Sequence, residues 1–168
     1  MTSDLPTAAK RLFDGLISRG ETLVLAESCT GGRAAAALVE LPGASEVLAG
    51  SFVTYQTASK AGWLGLSEAL LSKHGPVSSQ AAAAMAAGAA VRTPQATVAA
   101  AISGHLGPAA PEDENGRLLI AVRAMHRPPV VLEQHLDDTP VERADRVAAA
   151  AAILLSTITE TLDRDRRH

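Results

Sequence analysis

A serine, a cysteine and two adjacent glycines stand together in the run Ala26-Glu27-Ser28-Cys29-Thr30-Gly31-Gly32. The preceding residues, Thr22-Leu23-Val24-Leu25-Ala26, are apolar and partly β-branched, as in a buried strand. An alanine-rich helix follows from Gly31-Gly32 through about Glu40. A serine in such a strand-to-helix turn holds its hydroxyl outside the sheet, near free N–H groups of the following helix that stabilise a developing oxyanion. Ser28 is so placed, and nucleophilic attack is the chemistry its position permits. The same position suits a helix cap, with Thr30 as a second candidate for that job. Gly31 and Gly32 allow a close backbone approach to a ligand, and they serve any tight turn equally well.

A serine hydroxyl is a poor nucleophile at neutral pH unless a base takes its proton. The chain has no Gly-x-Ser-x-Gly elbow, so no motif supports a Ser-His-Asp hydrolase. His74, His105, His126 and His135 share no metal-ligand spacing, and nothing resembles a Cys/His zinc set, so no metal is expected. A lysine or tyrosine whose pKa is lowered by burial or a neighbouring charge is an alternative base. Tyr55 is the only tyrosine, and Lys60 is the only lysine between Lys10 and Lys73. They fall at the end of a strand and the start of a helix, where both can reach one cleft. A surface lysine near a half-buried tyrosine is the ordinary alternative. Cys29 sits where a thiolate is activated, yet no histidine is local to it in sequence, and a small buried cysteine is the commoner outcome.

The elements that must position these groups are legible from periodicity and breakers. Ala8, Leu12, Phe13, Leu16 and Ile17 recur at helical spacing from Leu5 to Ser18, and Gly20 stops that helix. Pro42-Gly43 ends the helix after Gly32, and Ser45 to Tyr55 reads as a second strand with Gly50 as a weak spot or bulge. Two short helical pieces follow, Ala58 to Trp63 and Ser67 to Lys73, before Gly75-Pro76. Ser78 or Ser79 caps a helix from Ala81 to about Val91. Thr97 to Ser103 is another buried strand, and Gly104 to Gly116 is a loop rich in Gly, Pro and acid. Arg117 to Ala124 and Val130 to Leu136 form a hairpin around His126-Arg127-Pro128-Pro129, and the last helix runs from about Val141 to Leu162. The expected fold is α/β: three α/β/α layers around a mixed sheet.

At 168 residues the chain has the length of one domain, spanning 1–168. Hydrophobic residues make up 47% and aromatics 2%, so the core is built from Ala, Val, Leu and Ile with closely packed helices. The formal net charge of −3, scattered basic residues and few stacking aromatics argue against nucleic acid. Arg164, Arg166 and Arg167 are interleaved with Asp163 and Asp165, as on a solvated helix end. One cysteine permits no disulfide framework, no signal segment opens the chain, and Val147 to Ile158 is too short to cross a bilayer. A cytoplasmic protein without membrane partners is expected.

The stretch Leu25 to Gly32 resembles the C-terminal domain of the competence/damage-inducible CinA proteins, the nicotinamide-nucleotide amidohydrolases. Also similar are Leu41-Pro42-Gly43-Ala44-Ser45 with Gly50, Tyr55 and Lys60, then Leu64-Gly65-Leu66, Gly75-Pro76-Val77-Ser78 and Ala84 to Gly88. The resemblance covers nearly the whole chain in order and implies a CinA C-terminal-domain-like fold. It implies deamidation of nicotinamide mononucleotide to nicotinate mononucleotide and ammonia, in pyridine-nucleotide salvage. Ser28 would be the nucleophile and Tyr55 with Lys60 the proton-handling pair. The Thr30, Gly31 and Gly32 amides would face the substrate, and Glu27 would orient the turn. Arg143, or alternatively Arg146, matches the region of a phosphate ligand. No cofactor is implied, the partner is a small pyridine nucleotide, and homo-oligomers are expected. The larger N-terminal domain carried by some members is not expected here.

The chain departs from the family pattern Thr-Gly-Ile-Ala-Gly-Pro. It reads Ser103-Gly104-His105-Leu106-Gly107-Pro108, followed by the acidic Glu112-Asp113-Glu114. Ser103 keeps a hydroxyl for a ligand, while His105 brings an imidazole where an apolar residue is usual, and acids near a phosphate site would repel it. Ser103, Gly104 and His105 therefore join the candidate substrate contacts. An amidase of altered specificity and a non-catalytic nucleotide-binding or scaffold protein are the alternatives.

Overall fold

The computed structural model describes residues 4–124, 127–136 and 142–165, the side chain of Glu112 excepted. The elements are α1 (Leu5–Arg19), β1 (Leu23–Glu27), α2 (Arg33–Val39), β2 (Leu48–Val53), α3 (Thr57–Leu64), α4 (Glu68–His74), α5 (Ser79–Arg92), β3 (Val98–Gly104), β4 (Arg117–Ala124), β5 (Val130–His135) and α6 (Arg143–Asp165). The sheet order is β2-β1-β3-β4-β5. β1 is parallel to β2 and β3, whereas β4 is antiparallel to β3 and β5, giving the expected mixed sheet.

Alternation along the strands divides the core into two layers of different texture. Leu23, Leu25, Val98, Ala100, Ile102, Leu118, Ile120 and Val122 face α1, α2 and α6. Their opposite neighbours Val24, Ala26, Ala99, Ala101, Leu119 and Ala121 pack against α5, which offers Ala81, Ala82, Met85, Ala86 and Ala89. Small residues on both sides bring α5 close to the sheet. The last turn of α3 then lies directly on α5: a Cβ at Gly88 would stand 2.1 Å from the Leu64 carbonyl oxygen.

Element boundaries differ from the sequence reading in instructive ways. β1 ends at Glu27 rather than Ala26, because Glu27 still pairs with Val53 and Ile102. The expected strand from Ser45 begins instead as a 3-10 turn, Ala44–Glu46, and becomes strand only at Leu48. Register along β1 and β2 slips between Leu23 and Val24, opposite Ala49-Gly50, which agrees with the irregularity expected at Gly50. The helix expected from Gly31 starts at Arg33, since Gly31 and Gly32 adopt φ of 59° and 92°. Ser78 is the residue that caps α5, accepting from Ala81 N–H at 3.1 Å. α6 runs to Asp165, past the expected Leu162. Its expected first residue, Val141, lies outside the described residues, as do His126 of the hairpin turn and Arg166 and Arg167. Among the described residues, no helix is long and apolar enough to cross a membrane.

Candidate active site

The Ser28 turn is held from beneath by Glu27, a fully buried carboxylate. Oε2 accepts from Thr30 Oγ1 at 2.8 Å and from the amides of Gly32 and Ala34, both at 3.1 Å. Oε1 accepts from the Ala35 amide at 3.0 Å and Ser51 Oγ at 3.2 Å. A strand residue thus caps the helix that follows, in place of a cap from Ser28 or Thr30. Glu27 lines neither neighbouring cavity, and its hydrogen bonds hold the turn. The amides expected to face substrate are largely occupied: Gly31 N–H donates to the Ser28 carbonyl and Gly32 N–H to Glu27. Among the described residues, the Cys29 and Thr30 amides have no carbonyl partner.

Ser28 lines a cavity of about 320 Å³ with Cys29, Tyr55, Lys60, His105 and Arg143. Its amide donates to the Ile102 carbonyl at 3.1 Å, which fixes the turn to the end of β3. The Ser28 hydroxyl has no hydrogen-bond partner among the described residues. The adjacent Cys29 thiol is buried, and that burial pushes its pKa up to about 12, with Lys60 opposing more weakly. At neutral pH this sulfur is a thiol and a poor nucleophile.

Lys60 is the largest fully buried side chain among the described residues, 2% exposed. Its Nζ donates to the Pro76 carbonyl at 3.1 Å and Ser103 Oγ at 2.9 Å, with Met85 Sδ at 3.7 Å. No carboxylate pairs with it among the described residues. Burial therefore brings its pKa down from 10.5 to about 8, the nearby Cys29 acting weakly in the other direction. An amine so placed is neutral in a useful fraction near pH 8 and can take a proton.

The remaining candidates separate into those at the cavity and those behind it. Tyr55 is 59% exposed, and its hydroxyl accepts from Arg143 Nη2 at 3.0 Å; no hydrogen bond joins it to Lys60 or Ser28. The expected proton-handling pair is thus divided, with the lysine buried and the tyrosine at the rim beside a cation. Arg143 also donates to the Gly107 carbonyl and lines both this cavity and an adjoining one of about 400 Å³. Thr30, Gly31, Gly32 and Arg33 lie along that second cavity. Of the two candidate arginines, Arg146 is buried and donates to the Leu106 carbonyl at 3.2 Å and Asn115 Oδ1 at 3.1 Å, holding the loop in place.

Gly104 and His105 line the first cavity, whereas Ser103 is fully buried and lines neither. A Cβ at Gly104 would meet the Arg117 carbonyl at 2.6 Å, so only glycine fits there. His105 Nε2 lies 2.9 Å from Glu114 Oε2. Glu114 approaches Arg117, which makes a double hydrogen bond to Glu133 at 2.9 and 3.1 Å. Asp113 and Glu114 line neither cavity, and among the described residues no acidic residue does. Glu114 stands behind the cavity wall, against His105. Among the described residues, no His/Cys/Asp/Glu group could hold a metal. Sequence reasoning gave no site role to the Pro76 carbonyl, Met85 or Arg33; Gly75-Pro76 after a helix was the one signal for the first.

The CinA C-terminal domain model matches residues 6–160. A CinA-like protein of Prochlorococcus marinus is 40% identical over 98% of this chain, and one of Myxococcus xanthus is 33% identical over 98%. The chain spans 37% of the length of each of these curated relatives. Among solved structures, competence damage-inducible protein A from Klebsiella pneumoniae superposes with a TM-score of 0.87 at 26% identity, covering 96% of this chain and 98% of that one. A competence/damage inducible protein from Agrobacterium tumefaciens gives 0.83 at 32% identity, covering 94% and 95%. The chain belongs to the CinA C-terminal domain family.

Proposed function

We propose that the chain is a serine amidohydrolase that converts nicotinamide mononucleotide and water to nicotinate mononucleotide and ammonia, as a cytoplasmic enzyme of pyridine-nucleotide salvage. The observation that carries this reading is a buried lysine without an acidic partner lining the same cavity as Ser28. The neutral Lys60 amine takes the Ser28 proton as Oγ attacks the carboxamide carbon, giving a tetrahedral oxyanion beside the Cys29 and Thr30 amides, which have no carbonyl partner among the described residues. The Lys60 ammonium then returns a proton to the departing nitrogen, which leaves as ammonia. Water cleaves the Ser28 ester with Lys60 again as base.

Resting Ser28 and Lys60 share no hydrogen bond, and substrate closing the cavity is what brings catalytic contacts to full strength. The substrate phosphate suits Arg143, in cavities lined by Lys60, His105, Arg33 and Arg143 and, among the described residues, by no acidic one. Tyr55 joins this reading at the rim, where its hydroxyl accepts from Arg143. A homo-oligomer belongs to the same reading, with Val39, Trp63 and Val91 exposed for contact.

The test is ammonia release from nicotinamide mononucleotide by the purified protein, with nicotinate mononucleotide identified as the co-product. No release under conditions where another family member is active refutes the assignment. A second reading, an amidase of altered specificity, is favoured by His105 in the cavity wall. It predicts cleavage of other amides in preference to this nucleotide.

A further inference from the structure

The Pro76 carbonyl accepts two hydrogen bonds, from Ser103 Oγ at 2.9 Å and Lys60 Nζ at 3.1 Å, and Lys60 also meets Ser103 Oγ at 2.9 Å. These three groups form a closed triangle. A hydroxyl has one proton, and that of Ser103 goes to Pro76, so towards Lys60 its oxygen can only accept. The lysine nitrogen has three positions beyond its bond to carbon, and two point at oxygens fixed by the backbone and by β3. The third lies beside Met85 Sδ at 3.7 Å, a weak acceptor.

Neither oxygen carries a charge that would hold the ammonium as a carboxylate does. From the elements packed around Lys60, the β1–α2 turn presents the Cys29 thiol, while α5, β3 and the segment before α5 present uncharged groups. Ser103 is fully buried and lines neither cavity, so its hydroxyl serves Lys60 and does not contact a ligand.

We propose that Ser103 is a positioning residue, whose hydroxyl, oriented by the Pro76 carbonyl, fixes the Lys60 amine in the wall of the Ser28 cavity. The proposal rests on Lys60 acting as the base in the reaction above.

The test follows Lys60 directly, by nuclear magnetic resonance titration of protein carrying isotope-labelled lysine, in the wild type, Ser103→Ala and Ser103→Thr. kcat and KM are measured against pH in parallel. An accepted hydrogen bond stabilises an ammonium more than an amine, so Ser103→Ala shifts the Lys60 titration to lower pH. The acid limb of kcat/KM moves with it, kcat at the optimum falls about 10- to 100-fold, and KM stays within about twofold. Ser103→Thr restores the wild-type titration and most of the turnover. An unmoved titration and acid limb in Ser103→Ala overturn the proposal. A chain without activity on any amide refutes the assigned reaction instead, and the Lys60 titration still decides whether Ser103 governs that amine.

Discussion

Lys60 couples the chemistry of the site to the stability of the fold. Its folded pKa is about 8, against an ordinary value of 10.5. Between those values the unfolded chain binds more protons, so stability rises with pH across that window, and the burial penalty is fully present below pH 8. The penalty is about 3 kcal/mol, at roughly 1.4 kcal/mol per pKa unit. Lys60→Met leaves Ser103 and Pro76 still bonded to each other and removes the buried charge. Denaturant unfolding at pH 7 then shows a gain of up to about 3 kcal/mol that shrinks towards pH 10, together with loss of turnover. An equal difference at both pH values means that Lys60 is not the source. In the wild type, kcat/KM rises with pH through about 8 as the amine loses its proton. Arg143 acts on binding: Arg143→Ala raises KM for a phosphorylated substrate about 10- to 100-fold, and much less for the riboside lacking phosphate. Equal losses for both substrates place the phosphate elsewhere. Ser28 and Lys60 were legible as candidates from residue type and placement, whereas Arg143 and His105 entered through the family resemblance and the departure from it. The partners of Glu27 and Ser103 were not legible. Their partners are backbone amides, a carbonyl and a lysine far away in sequence, none of which leaves a local pattern.

At the scale of elements, small residues set where the chemistry sits. The alanine faces of α5 and of β3 draw that helix onto the sheet, and Gly88 lets α3, which carries Lys60, lie against it. A methyl at Gly88 would collide with the Leu64 backbone, which cannot rotate away as a side chain would. Gly88→Ala therefore destabilises the protein by about 1–3 kcal/mol and lowers kcat by shifting α3, as thermal unfolding and steady-state kinetics would reveal. A variant with wild-type stability and turnover contradicts this packing account. Sequence periodicity located every strand and helix to within a few residues, but it misplaced the start of β2. A left-handed Gly43 and a 3-10 turn occupy residues whose composition reads as strand. It also could not show that a strand-end glutamate caps α2, since that pairing is tertiary.

For the whole molecule, the arrangement sorts two adjacent nucleophile candidates into different jobs. The fold buries Cys29 until its thiol titrates near 12, and leaves the Ser28 hydroxyl, among the described residues, unpartnered at a cavity with a buried amine and no lining carboxylate. Membership of the CinA C-terminal domain family fixes the architecture, and the choice between these two side chains carries the reaction. The measurement that tests it most directly is turnover of nicotinamide mononucleotide by Ser28→Ala and Cys29→Ala beside the wild type, with folding of each checked by circular dichroism. Loss of about a thousandfold or more in Ser28→Ala, with Cys29→Ala within about tenfold of wild type, is the predicted result. Retained turnover in Ser28→Ala, or its loss in Cys29→Ala alone, would contradict the account.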